Sequence, residues 1–167
     1  MKIDRSRLLV FLRSLYPFYK LSDPMLEAVA EQMETVDVAA DTRLFSQGAP
    51  AEKDALYIVY EGKVRLYRRR DNVEEDVSVL ERGEIFGYEM LGNNIPHPVS
   101  ASALTPLRLL ALKRSQIRLL LTQIPQLLAV LRMLLNSYFL RLKVRLSWCD
   151  PQEIVHYIAN KPVSYTH

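Results

Sequence analysis

Cysteine is nearly absent from this chain of 167 residues, where Cys149 is the only one. That excludes an internal disulfide framework and CxxC metal motifs. It suits a reducing compartment, so the expected location is cytoplasmic. Long apolar runs are missing too. None approaches the roughly 20 residues a membrane-spanning helix needs, so no span is expected in this chain. The opening "MKIDRSRLLVFLRSLYPFYK" interleaves charges with apolar residues, which is not the pattern of a signal peptide. A large charge of one sign is also lacking. The net charge of +3 is too small to imply nucleic acid without a local basic cluster. Glycine is scarce, and all five fall between Gly48 and Gly92.

What remains can build a core. The chain is 49% hydrophobic and 25% charged, which suits one compact domain with attachments. Three zones follow from the pattern. In the first, Leu8, Phe11, Leu12 and Leu15 recur at helical spacing until Pro17 breaks the run. The stretch "LSDPMLEAVAEQMETV" restarts it, with Ser22 as N-cap, Pro24 in the first turn and an apolar stripe at Leu26, Val29, Ala30 and Met33. The second zone, from about Val36 to Leu112, holds every glycine and breaks into short alternating segments. Short strands with regular turn signals predict a sandwich or barrel-like roll.

One hairpin can be tested by pairing. With Asp71 and Asn72 as a two-residue turn, Leu66 faces Val77, Val64 faces Val79, Arg69 faces Glu74 and Arg68 faces Glu75. Apolar then meets apolar and charge meets opposite charge, each pair contributing roughly 0.2–1 kcal/mol. The run Arg68 to Arg70 therefore reads as one side of a charged hairpin, with Glu74 to Asp76 opposite, rather than as a nucleic-acid patch.

The third zone is helical. Ser115 is a candidate cap for "QIRLLLTQ", and Pro125 can open a second helix running towards Pro151. That helix is apolar on more than one side, which one buried face does not require. Leu127, Leu131 and Leu135 are expected to cover the roll. Leu134, Tyr138 and Leu142, with Arg141 and Arg145 at the margin, are expected to form a two-fold homodimer seam. The rival is that Trp148 and "IVHYI" fold back over that side. In boundaries, residues 1–35 are the helical lead-in, 36–114 the roll with a distinctive segment at 83–101, 115–150 the C-terminal helices and 151–167 a tail. The ending "KPVSYTH" has no capping or tail character, and a boundary within a longer protein stays open.

Together these residues resemble the cyclic-nucleotide-binding domain family, which includes catabolite activator proteins, the regulatory subunit of protein kinase A and gating modules of some ion channels. The resemblance covers about Phe11 to Leu128. "FLRSLYPFYKLSDPMLEAVAEQMETVDV" resembles the helical lead-in, and Gly48 the first strand-turn glycine. Tyr57, Ile58, Gly62 and Val64 resemble a strand-and-hairpin motif, and "LERGEIFG" the approach to the phosphate-binding cassette. The fold this implies is mainly β, an eight-stranded jelly roll with N-terminal helices and a long C-terminal helix.

The cassette departs from the family pattern, which reads phenylalanine–glycine–glutamate, a short helix, then proline–arginine–small–alanine–threonine or serine. Gly83, Phe86, Gly87 and Pro96 are kept. Tyr88 stands at the glutamate position, His97 at the arginine, Val99 at the alanine and Ser100 at the threonine. In the family the glutamate accepts the ribose hydroxyl and the arginine pairs with the cyclic phosphate. Losing one partner of such a charged pair costs roughly 2–5 kcal/mol, tens to thousands of fold in affinity. Tyr88 is no carboxylate, and a histidine with a reference pKa near 6.5 has no guanidinium fork. Glu89 could be presented by a small shift of the cassette helix, or could be a solvated helix residue. Ser100 and the backbone N–H groups beside Gly87 could still meet an anion. His97 reads as a loop histidine or as a residual pocket group.

The implied function is a non-enzymatic regulatory or interaction module that binds cyclic nucleotide weakly or not at all, with no cofactor. The tentative ligand residues are Gly87, Tyr88, Glu89, His97, Val99 and Ser100. Alternatives are a sensor of another small molecule in the same cavity, or the effector domain of a truncated transcription regulator or membrane-attached protein with a downstream effector domain. No serine, histidine or carboxylate stands in a nucleophile elbow or triad-like motif, so no enzyme is expected. No partner ligands stand at metal spacing near His97. A haem reading would need His97 and Cys149 as axial ligands, but Cys149 lies beyond the long helix.

Overall fold

The structure, a computed structural model, describes residues 3–51, 54–92 and 95–142, with the side chains of 135 and 137–142 outside the description. Two helices come first, α1 (Arg5–Ser14) and α2 (Asp23–Gln32). Helix α1 buries Leu8, Phe11 and Leu12, and α2 buries Leu26, Val29 and Ala30, the stripes that their spacing predicts. Ser22 holds the N-cap position of α2 in extended conformation, but its side chain makes no capping hydrogen bond. Asp23 in the first turn favours the positive helix end instead.

Among the described residues eight strands follow: β1 (Glu34–Val38), β2 (Arg43–Phe45), β3 (Ala55–Glu61), β4 (Val64–Arg70), β5 (Val73–Leu80), β6 (Ile85–Phe86), β7 (Ser100–Ala103) and β8 (Leu107–Lys113). They form two four-stranded antiparallel sheets, ordered β1-β8-β3-β6 and β2-β7-β4-β5. Both sheets contribute to one core, where Leu56, Ile58 and Val59 share a cluster with Val64, Leu66 and Leu80. The fold is therefore mainly β, a jelly roll flanked by helices.

The β4–β5 hairpin turns at Asp71 and Asn72, both with positive φ, as a type I′ turn requires. Arg69 faces Glu74 and Arg68 faces Glu75, as the sequence predicts. Beyond Tyr67 the register differs from expectation, because Leu66 pairs with Ser78 and Val64 with Leu80. The cause is a β-bulge at Val77, which inserts one residue and reverses the alternation beyond it. Leu80, not Val79, thereby enters the core, and Val79 is left 41% exposed. Glu74, Glu75 and Asp76 are neutralised by Arg65 and Arg68 at 2.6–3.1 Å. Such surface pairs contribute little each.

Strand β8 passes directly into α3 (Arg114–Gln123), whose N-cap is Lys113 and not Ser115. Gln116 accepts the Lys113 backbone N–H at 2.7 Å, the reach of a capping box from the third helical position. This starts the helix early enough to make Arg114 its first residue. Helix α4 (Leu127–Leu142) buries Leu127, Val130, Leu131 and Leu134 against the chain's own core. Leu134, expected at a dimer seam, is only 5% exposed, so it belongs to the fold. The spacing 127, 130, 131, 134 is one continuous helical face. The side chains of Leu135, Tyr138, Arg141 and Leu142, and the whole of Arg145 and Trp148, lie outside the described residues.

Gly62 joins β3 to β4 with φ +94°, and a Cβ there would lie 2.3 Å from the Pro106 carbonyl oxygen. Both the conformation and the backbone contact resist a side chain. Gly62→Ala is expected to lower stability by about 2 kcal/mol or more, measured as the shift in urea midpoint at unchanged slope.

Candidate functional site

The cassette segment leaves β6 at Phe86, turns at Gly87 and enters a four-residue 3₁₀ helix, Tyr88–Leu91. Gly87 has φ +89°, and a Cβ would lie 2.7 Å from the Ala55 carbonyl oxygen. Backbone passes this close to β3 only without a side chain. The turn drives the short helix inward, so Tyr88, Glu89, Met90 and Leu91 are all buried. Glu89 is therefore not a solvated helix residue. Burial holds the Tyr88 phenol well above its usual pKa and keeps it neutral.

His97 is pinned from the opposite side. Its N–H donates to the Ala49 carbonyl at 2.9 Å, and its carbonyl accepts from the Gly48 N–H at 2.8 Å. A bridge between Pro50 and Pro96 extends that pairing. The ring is 1% exposed and stacks on Phe45 at 3.7 Å between centroids, 8° from parallel. Nδ1 meets Glu89 Oε1 at 2.7 Å, and Nε2 meets Asp54 Oδ2 at 2.5 Å.

An imidazole with both nitrogens on carboxylates donates twice only as imidazolium. Burial alone would lower the His97 pKa. The hydrogen bonds from Asp54 and Glu89, and their charges, outweigh it and raise the pKa to about 9. The cluster binds together three segments: the approach to β3, the short helix and the loop before β7.

Of the residues singled out from sequence, the structure joins Glu89 and His97 directly. Ser100 instead accepts the Gln47 backbone N–H at 2.8 Å, fixing the turn after β2. Val99 is core. Sequence reasoning missed three members of the site. Asp54 and Phe45 lie 43 and 52 residues before His97, and neither stands in a motif that points to it. Arg114 sits at the start of α3. Its Nε donates to the Met90 carbonyl at 3.2 Å and a second nitrogen donates to the Gly92 carbonyl, so it caps the end of the short helix. Its place just after an apolar strand was a legible signal, but only once the strand–helix junction is known. Among the described residues, no group of histidine, cysteine, aspartate and glutamate could hold a metal ion.

Because the folded pKa of His97 is raised above its unfolded value, the stabilisation is fully present below about pH 6.5. It is lost as pH rises through about 9. The full effect is on the order of 3 kcal/mol. The thermal midpoint of the wild type should fall between pH 7 and pH 9.5, more steeply than that of His97→Gln. Parallel curves for the two proteins would contradict the imidazolium assignment.

Residues 35–123 match the family model of the cyclic nucleotide-binding domain. Over 102 residues the chain is 28% identical to a CRP-like cAMP-activated global transcriptional regulator of Mycobacterium tuberculosis, covering 60% of this chain and 45% of that protein. The chain thus spans less than half the length of that relative. Among solved structures, the N-terminal domain of a transcriptional regulator from Streptomyces coelicolor is 30% identical, with a TM-score of 0.64 over 80% of this chain and 90% of that one. The Thermus thermophilus catabolite activator protein is 27% identical, with a TM-score of 0.68 over 78% and 61%. The matched residues run from β1 to the end of α3 and take in both sheets and the whole cassette segment, and on that basis the chain belongs to the cyclic nucleotide-binding domain family.

Proposed function

We propose that this chain is a non-enzymatic, cytoplasmic regulatory module whose cassette holds cyclic AMP and cyclic GMP weakly or not at all. The observation that carries this reading is His97 held between Asp54 and Glu89. A cyclic phosphate could pair with His97 only by displacing one of these carboxylates. Each such charged hydrogen bond contributes about 1.5–3 kcal/mol. Tyr88, at the position where the family places its ribose-binding glutamate, is itself part of the core.

The output is proposed to lie in an effector domain that this module controls, transcriptional or membrane-attached. Support for the transcriptional form comes from the Mycobacterium relative, which is named as a cAMP-activated regulator. Among the described residues no helix is long and apolar enough to cross a membrane. We further propose a homodimer through the helix after Pro125. With Leu134 in the core, its seam would lie further along, towards Tyr138 and Leu142.

Titration calorimetry at pH 7 should detect no tight binding of either cyclic nucleotide. A dissociation constant of about 1 micromolar or better, some −8 kcal/mol, would reject the reading. Tyr88→Glu with His97→Arg returns both lost contacts and should gain affinity about tenfold or more. No gain in a folded double variant means that the cavity is closed elsewhere. For assembly, light scattering should give a dimer for the wild type and a monomer for Leu142→Glu. A monomeric wild type, or a dimeric variant, removes the helix as the seam.

A further inference from the structure

A groove of about 580 Å³ lies between α1 and the turn before β6, away from the cassette cluster in its lining residues. Its floor is aromatic, with Phe11 and Tyr60 edge to face at 4.9 Å between centroids. Arg82 lies over both rings, 4.6 Å from Phe11 and 4.4 Å from Tyr60, and one nitrogen donates to the Tyr60 carbonyl at 2.6 Å. A guanidinium carries five N–H donors, so this contact fixes Arg82 in place and leaves others for an acceptor. From α1, Arg7, Val10, Phe11 and Ser14 line the same groove. They recur at three- and four-residue steps and share a helix face. Val10 is 63% exposed there.

The ion pairs of α1 sharpen the point. Arg5 is neutralised by Glu31 and Arg13 by Asp23, each at 3.0 Å. Among the described residues no ion pair includes Arg7 or Arg82. The nearby acids are engaged elsewhere: Glu81 pairs with Lys63, and the Glu84 carboxylate accepts the Glu81 backbone N–H. The helix thus neutralises the arginines that lie away from the groove and keeps a cation where the groove opens.

We infer that this groove docks an acidic peptide segment of a partner protein, one that sets an apolar side chain between two carboxylates. The apolar residue packs on Val10, which is exposed beside the buried Phe11–Tyr60 pair, and the carboxylates pair with Arg7 and Arg82. An aromatic floor with a fixed arginine is the composition of an interface anchor, and carboxylates match the guanidinium fork. A small inorganic anion would leave Val10 unused.

The test is fluorescence anisotropy with the full chain and a labelled 11-residue peptide in which two glutamates flank a leucine–phenylalanine pair. A second peptide carries lysines in place of the glutamates. Wild type should bind the glutamate peptide, with affinity falling as salt rises. Arg7→Glu, at an exposed position, should weaken it about fivefold or more, and Arg7→Glu with Arg82→Glu should prefer the lysine peptide. Equal binding of the two peptides to the wild type, or no effect of Arg7→Glu, overturns the inference. A wild-type dimer that Arg7→Glu dissociates would make a second copy the occupant and also overturn it.

Discussion

An imidazolium between two carboxylates ties together segments that the chain keeps far apart. Asp54 enters before β3, Glu89 sits in the short helix and His97 precedes β7. Neither Glu89 nor His97, both fully buried, could be buried alone at acceptable cost, since an isolated buried charge is strongly disfavoured. Each is tolerated because its partners are present. Phe45 covers the ring from the second sheet, so apolar packing and charge pairing fix the same atom positions. The cassette loop is held by that mutual dependence. The gentler turns on either side only need to deliver the three groups.

Much of the fold was legible because it rests on periodicity. The stripes of α1 and α2, the Asp71–Asn72 turn and the cross-strand charge pairs follow from spacing and side-chain type alone. The hairpin register failed past Tyr67 because alternation assumes one residue opposite one, and a bulge at Val77 breaks that count. Nothing in "DVSVL" distinguishes a bulged valine from a paired one. The Ser115 cap was misplaced for a related reason. Gln116 supplied the cap by reaching back, which competes with a serine hydroxyl that simply stands nearby.

The candidate site was legible only in part. Glu89 and His97 could be named because a family pattern drew the eye to their neighbours. Their partnership could not, because it is set by the inward turn at Gly87 and not by their separation along the chain. Asp54 was invisible for the same reason. A surface carboxylate before a strand has no local feature that predicts a buried partner 43 residues on. Leu134 shows the reverse error, where apolar excess on a helix was assigned to another chain although the chain's own core had room for it.

The sheet order β1-β8-β3-β6 carries a consequence for how the protein comes off the ribosome. The strand that joins β1 to β3 in that sheet is the last one made. Until Leu107–Lys113 has emerged, β1 and β3 have no neighbour in common, and the sheet stays in two parts. Pairings of such long separation form late and slowly. Nascent chains of up to about a hundred residues therefore present open strand edges, the state in which chaperones have most to protect.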